Sequence, residues 1–255
     1  MASNVQGKML LVAAFDFGTT FSGYAFSLRD DPNKIQTNWN WYAGGGASLK
    51  TPTSVLLNQK GEFHSFGFEA EDYYTYLAED GAHDDWRLFR RFKMVLHSSE
   101  HLMKDVTVED DCGKQMEAFP LFVMSIEYLK KHLLTPVVNL NVGINEADIV
   151  YVLTIPVIWH DNAKRFMRDA AVEAGIDTSR LKLALEPECA SIWRENTDTK
   201  NDVTVKEHTI WWSISDIVGD NSGDASKPNC AFNTTRPASG GTISLTPANS
   251  FLILS

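Results

Sequence analysis

The stretch VAAFDFGTTFSGYAF, Val12 to Phe26, decides the fold. It continues a nearly unbroken apolar run from Met9 to Phe15, the pattern of a central strand buried on both faces, and Ser22 to Leu28 reads as its hairpin partner. The turn between them holds Gly18, Thr19 and Thr20. Asp16 stands just before this turn. A carboxylate there is costly to desolvate unless a cation, its waters or backbone amides take it up. The Gly-Thr turn supplies N–H groups and hydroxyls that form a concavity for an anion. A carboxylate for a cation beside a turn for a phosphate describes a metal-nucleotide site. The residues alone also allow a second reading, in which Asp16 caps a turn and Gly18 supplies only a permissive backbone angle.

Beyond this hairpin, turn signals alternate with short strands from Tyr42 onward, and NQKG, Asn58 to Gly61, reads as a hairpin turn. A small α+β subdomain is expected over about residues 42–117. WRLFRRFKMVLH (86–97) mixes basic and bulky apolar residues, and the acidic TVEDDCG (107–113) marks a break. Phe122, Ile126, Leu129 and Leu133 fall at helical spacing, which predicts a helix over Pro120 to Leu134, ending before Pro136. ADIVYVLTIP (147–156) reads as a second buried strand. Asp161 is placed to cap the next helix, whose apolar face carries Ala163, Phe166, Met167, Ala170, Ala171 and Ala174 before Gly175 stops it. RLKLALEP (180–187) predicts a further strand leading to a helix around Glu188 to Arg194. The alternation of strands and helices predicts a layered α/β domain. From about Asn196 the chain turns polar and rich in Ser, Asn, Gly and Pro, so 196–255 is expected to be a divergent, poorly ordered tail.

The composition excludes several functions. The chain has 255 residues, 44% hydrophobic and 22% charged, enough for a large core. A formal net charge of −10 argues against nucleic-acid binding, which relies on lysine and arginine at phosphates. Cys112, Cys189 and Cys230 stand far apart and read as reduced thiols of a cytoplasmic protein. The first apolar stretch is short, lacks a basic leader and is interrupted by Asp16, so it is expected to be a strand and not a signal peptide. No apolar run is long enough to span a bilayer. The seven histidines show no paired-ligand spacing, and Trp86, Trp159 and Trp193 are expected to pack.

Four segments, in order, resemble the 70-kDa heat-shock proteins and the wider actin-like ATPase superfamily. FDFGTTFSGYAF (15–26) resembles their first phosphate loop, and LKTPTSVLL (49–57) with HSFGFEAED (64–72) resembles the segment that follows it. VYVLTIPVIWHDNAKRFMRDAAVEAGI (150–176) is similar to their strand-proline-helix element, and LALEPECASI (183–192) to the Glu-Pro segment after it. FSGYAFS, FKMVLH and LEPECASIW resemble most the divergent branch called heat shock 70 kDa protein 12. The resemblance implies an actin-like ATPase (ribonuclease H-like) lobe over residues 1–195, with a mixed β-sheet flanked by helices and the small subdomain inserted.

Carried over residue by residue, the resemblance implies Mg-ATP as cofactor. It assigns Asp16 to the magnesium ion through water, and Gly18, Thr19, Thr20 and Phe21 to the phosphates. It assigns Lys93 and Glu186 to catalysis and Pro156 to the family's switch proline, with Lys164 or Arg165 coupled to it. A lysine near the terminal phosphate would offset charge, and a carboxylate would orient water. From the residues alone Lys93, beside Arg87, Arg90 and Arg91, also reads as part of a solvated basic face, and Glu186 also reads as a strand terminus. The second Gly-rich loop of the family, Asp-x-Gly-Gly-Gly-Thr, is not found: ASGGTISL around Gly240 and SISDIVGDNSGD around Asp216 lack its pattern. The expectation is therefore a one-lobe, chaperone-like protein that binds ATP or ADP weakly or not at all, hydrolyses near background and associates with protein partners or clients through an exposed lobe face. The alternative is a non-enzymatic interaction or regulatory module built on the same lobe.

Overall fold

In the computed structural model of the chain, the described residues are 9–38, 41–43, 46–98, 105–139 and 143–186. The strands β1 (Leu11–Phe17), β2 (Phe21–Leu28), β3 (Asp31–Thr37), β4 (Trp41–Ala43), β5 (Gly46–Ser48), β6 (Thr51–Pro52), β7 (Ser54–Leu57) and β8 (Phe63–Phe66) come first. They are followed by α1 (Phe68–Glu79), β9 (Arg87–Arg90), α2 (Val95–Ser98), β10 (Thr107–Glu109), β11 (Gln115–Glu117), α3 (Ala118–Asn139), β12 (Ile149–Ile155), α4 (Asp161–Glu173) and β13 (Leu181–Leu185).

Every residue of β1 is buried because β1 lies inside a mixed sheet of order β13-β12-β1-β2-β3, with β6 added beside β2. β1, β12 and β13 run parallel, whereas β2, β3 and β6 pair antiparallel. Strand alternation divides the apolar side chains. Leu11, Ala13, Phe15 and Phe17 of β1 join Ile149, Tyr151, Leu153 and Ile155 of β12 in a core covered by α3 and α4. Val12, Ala14, Val150 and Val152 form a smaller cluster on the opposite face. Phe122 of α3 meets Phe17 at 5.7 Å and Phe166 of α4 at 5.1 Å between ring centres, fixing the helices to the strand that carries Asp16. This is the expected mixed sheet flanked by helices.

The NQKG hairpin joins β7 and β8, with β9 on the other side of β7 in a separate three-stranded sheet. TVEDDCG forms a strand and the turn of a hairpin, not only a break. Asp110 Oδ1 accepts from the amides of Cys112 and Lys114, and its Oδ2 accepts from Arg87 Nε at 2.6 Å. Asp161 is the first helical residue of α4 and His160 its N-cap, so the expected cap falls one residue earlier. Gly175, at φ 82°, ends the helix as expected, with the Ile176 amide reaching back to the Ala171 carbonyl.

The larger departure is α3, which passes through Pro136 and ends at Asn139. Proline withholds the amide that would bond the carbonyl four residues back, that of His132. Tyr24 Oη, from β2, donates to that carbonyl at 3.4 Å and pairs with His132 Nδ1 at 2.8 Å. The break is thus satisfied from the sheet. The predicted helix at 188–194, the tail, Cys189, Cys230, Trp193 and the segments around Asp216 and Gly240 lie outside the described residues. No helix among the described residues is long and apolar enough to cross a membrane.

Removing the hydroxyl with Tyr24→Phe should cost about 1 kcal/mol in urea unfolding, and less in a Pro136→Ala background, where the helix supplies its own donor to His132. Burial holds His132 below its ordinary value of 6.5. The unfolded chain therefore binds the extra proton first, and stability should be lost as pH falls below about 6.5; His132→Gln should flatten that slope in melts between pH 7.5 and pH 5.

Candidate functional site

The turn after β1 is built by exclusion. Gly18 is buried and its amide donates to the Phe21 carbonyl at 3.1 Å; a Cβ on Gly18 would collide with that same oxygen. Thr53, between β6 and β7, holds the turn from behind. Its amide donates to Thr20 O at 2.9 Å, its Oγ1 donates to Gly18 O at 2.8 Å, and the same hydroxyl pairs with Ser22 Oγ at 2.7 Å. Thr19 is half-buried, while Thr20 and Phe21 are exposed. Among the described residues the amides of Thr19 and Thr20 have no backbone partner. The turn therefore presents donors of the kind that cradle a phosphate.

Four charged side chains gather beneath it. Asp16, 4% exposed, accepts from Lys50 Nζ. Lys93, 2% exposed, donates from Nζ to the Phe17 carbonyl, stands 3.8 Å from Glu186 Oε1, and lies 4.8 Å from the centre of the Trp159 ring. The backbone separates this lysine from the arginines around it. Arg91 takes a left-handed conformation at φ 52° and starts the short 3-10 turn Phe92–Met94, which carries Lys93 inward. Arg87 pairs with Asp110, Arg90 with Glu71 and Asp111, and Arg91 stays exposed. Burial pushes the Lys93 ammonium down from its ordinary value against the pull of Glu186 and Asp16. Burial pushes Glu186 up against the pull of Lys93. Burial and the Lys93 charge hold His97 low.

No three or more His, Cys, Asp or Glu side chains gather to hold a metal among the described residues. Asp16 alone is a poor site for a cation bound only by protein. It suits a cation held mostly by its own waters and by a nucleotide's phosphates, which needs one carboxylate.

Heat shock 70 kDa protein 12B of Homo sapiens is 42% identical to the chain over 195 residues, covering 74% of this chain and 28% of that protein. Heat shock 70 kDa protein 12A of Mus musculus is 35% identical over 223 residues, covering 84% and 33%. The human 12A protein is 38% identical over 200 residues, covering 75% and 30%. The chain is heat shock 70 kDa protein 12-like. It spans about a third of the length of the curated relatives it matches. Among solved structures, MreB5 of Spiroplasma citri bound to ADP aligns at TM-score 0.38 and 15% identity, covering 72% of this chain and 40% of that chain. No protein-family model matches the chain. The mixed sheet with its flanking helices is consistent with an actin-like ATPase lobe.

In this heat shock 70 kDa protein 12-like chain, Asp16, Gly18, Thr19, Thr20 and Phe21 share one strand end and turn, and Lys93 and Glu186 meet at its foot. Pro156 follows β12, and its carbonyl accepts from the Trp159 amide at 3.4 Å. Lys164 pairs with Asp161 at 3.3 Å, and Arg165 lies 4.0 Å from Asp169. Neither is brought to Pro156 by a bond the structure records. Sequence reasoning missed Lys50 and Thr53, which lie inside the quoted LKTPTSVLL. It also missed Gly23, which β1 pairs directly with Asp16.

The buried Lys93–Glu186 pair is costly to desolvate and is expected to detract from stability. Glu186→Gln, which strips the ammonium of its main counter-charge, should lower the urea midpoint. Lys93→Met with Glu186→Gln should raise stability above Glu186→Gln alone, by about 1–4 kcal/mol.

Proposed function

We propose that the chain binds the phosphates of ATP or ADP with magnesium in the turn between β1 and β2, as one side of an actin-like ATPase site. The observation that carries this reading is the Gly18–Phe21 turn, open at the Thr19 and Thr20 amides and set directly above Lys93 and Asp16. In this reading the amides and hydroxyls of Thr19 and Thr20 take phosphate oxygens, Phe21 flanks them, and Asp16 holds a water of the metal shell. Magnesium, when bound, neutralises phosphate charge. Lys93, kept low by burial, gains a phosphate oxygen as partner in place of a shortage of solvent. Glu186 accepts a hydrogen bond from the attacking water and orients it. The ancestral reaction is ATP hydrolysis coupled to chaperone-type work on protein clients. The described residues supply one side of the phosphates, and phosphoryl transfer is mostly positioning from both sides, so hydrolysis by this chain is expected near background.

A second reading, a non-enzymatic interaction module, draws on apolar side chains on the site's own elements. Phe21 is 45%, Met94 50%, Val157 49% and Ile158 72% exposed.

Calorimetry of the chain with ADP and ATP in magnesium should give saturable binding, weak at a dissociation constant above roughly 10 μM. Gly18→Ala and Lys93→Met should each weaken it about tenfold or more. Absence of any heat of binding at millimolar nucleotide would sink the reading.

A further inference from the structure

Lys50 is built into its place. Its backbone is fixed by Ser48, whose Oγ donates to Lys50 O at 2.6 Å and accepts from the Lys50 amide at 3.3 Å. The preceding carbonyl, Leu49 O, accepts from Trp41 Nε1 at 3.0 Å. Directly after Lys50, Thr51 pairs with Ser22 of β2. The side chain then reaches Asp16 across β2 at the position of Gly23, the residue opposite Asp16 in the sheet register. A Cβ on Gly23 would stand 3.2 Å from Lys50 Cγ and 3.0 Å from Leu49 O, so the missing side chain is what leaves a channel for the lysine stem. The ammonium ends on the one carboxylate that a nucleotide-borne cation would use.

We propose that Lys50 is a tethered cation that supplies at Asp16 the positive charge a divalent ion would bring, so that the chain takes up a nucleoside diphosphate equally well with or without magnesium. Two carboxylates, Asp16 and Glu186, and two ammonium groups, Lys50 and Lys93, leave the cluster neutral. Without Lys50 it carries a net negative charge facing the phosphates, and a divalent ion becomes necessary to bring an anion there. With Lys50 the chain supplies that charge itself. The inference rests on the phosphate-binding reading of the turn, and the two fail separately.

Two measurements on the full chain test it. In calorimetry with ADP, the wild-type affinity should agree within about twofold between EDTA and magnesium, while Lys50→Met should lose about tenfold in EDTA and recover in magnesium. A wild-type affinity that falls about tenfold in EDTA overturns the proposal, whatever the variants do. If the wild type binds no ADP in either buffer, the phosphate reading falls, and thermal melts without nucleotide decide the role of Lys50. There, Lys50→Met should melt roughly 5–10 °C lower, because it leaves Asp16 buried without a counter-charge, and should regain several degrees in about 10 mM magnesium chloride. The wild type, Lys50→Arg and the neutral Asp16→Asn with Lys50→Met should not respond to magnesium. A magnesium response of equal size in the wild type and Lys50→Met, or none in Lys50→Met, overturns the proposal.

Discussion

A carboxylate buried to 4% exposure at the end of a central strand must be neutralised, and the arrangement around β1 follows from that requirement. Alternation along β1 sends Phe15 and Phe17 into the main core and turns Asp16 to the other face. There, Lys50 arrives over β2 and Lys93 arrives beneath the turn from the segment after β9. Each lysine comes from a different part of the chain, and each is fixed by backbone bonds made elsewhere. The charge cluster therefore depends on the whole lobe being folded: the register of β1 with β2, the left-handed Arg91 and the placement of β13 before Glu186. Lys93 adds contact with the Trp159 ring, which joins the segment after Pro156 to the same cluster.

The sheet was readable because its strands declare themselves. Met9 to Phe15 and Ile149 to Ile155 are apolar without alternation, which only burial on both faces explains. α4 was legible through Phe166, Met167 and Ala170 on one face and Gly175 at its end. Where reading failed, a distant partner changed the local rule. Pro136 signals a stop for a helix considered alone, and the signal is overruled by a tyrosine hydroxyl 112 residues earlier in the chain, near enough in space to serve the His132 carbonyl. Acidic TVEDDCG looked like punctuation because its turn is organised by Asp110 with Arg87, a pairing that no local pattern carries.

The site divides the same way. Asp16 and Gly18 to Phe21 are contiguous and could be read as one motif. Lys93 was ambiguous among three arginines, and what separates it from them is the left-handed Arg91, itself exposed, which sends Lys93 inward while Arg87 and Arg90 find carboxylates outside. Lys50 left no mark at all. It precedes a threonine and a proline in a short edge strand, where a lysine is ordinarily a solvated residue, and only the strand register brings it over Gly23 to Asp16.

Gly18 and Gly23 give this site a particular kind of fragility. Neither contributes a functional group, yet one methyl group at Gly18 would strike the Phe21 carbonyl, and one at Gly23 would press on the lysine stem. The chemistry is thus drawn partly in empty space, and a substitution that adds no charge and removes none can erase it. A descendant that lost this arrangement would keep every charged residue in register and look intact to any inventory of side chains, its loss lying in a few cubic ångströms newly filled.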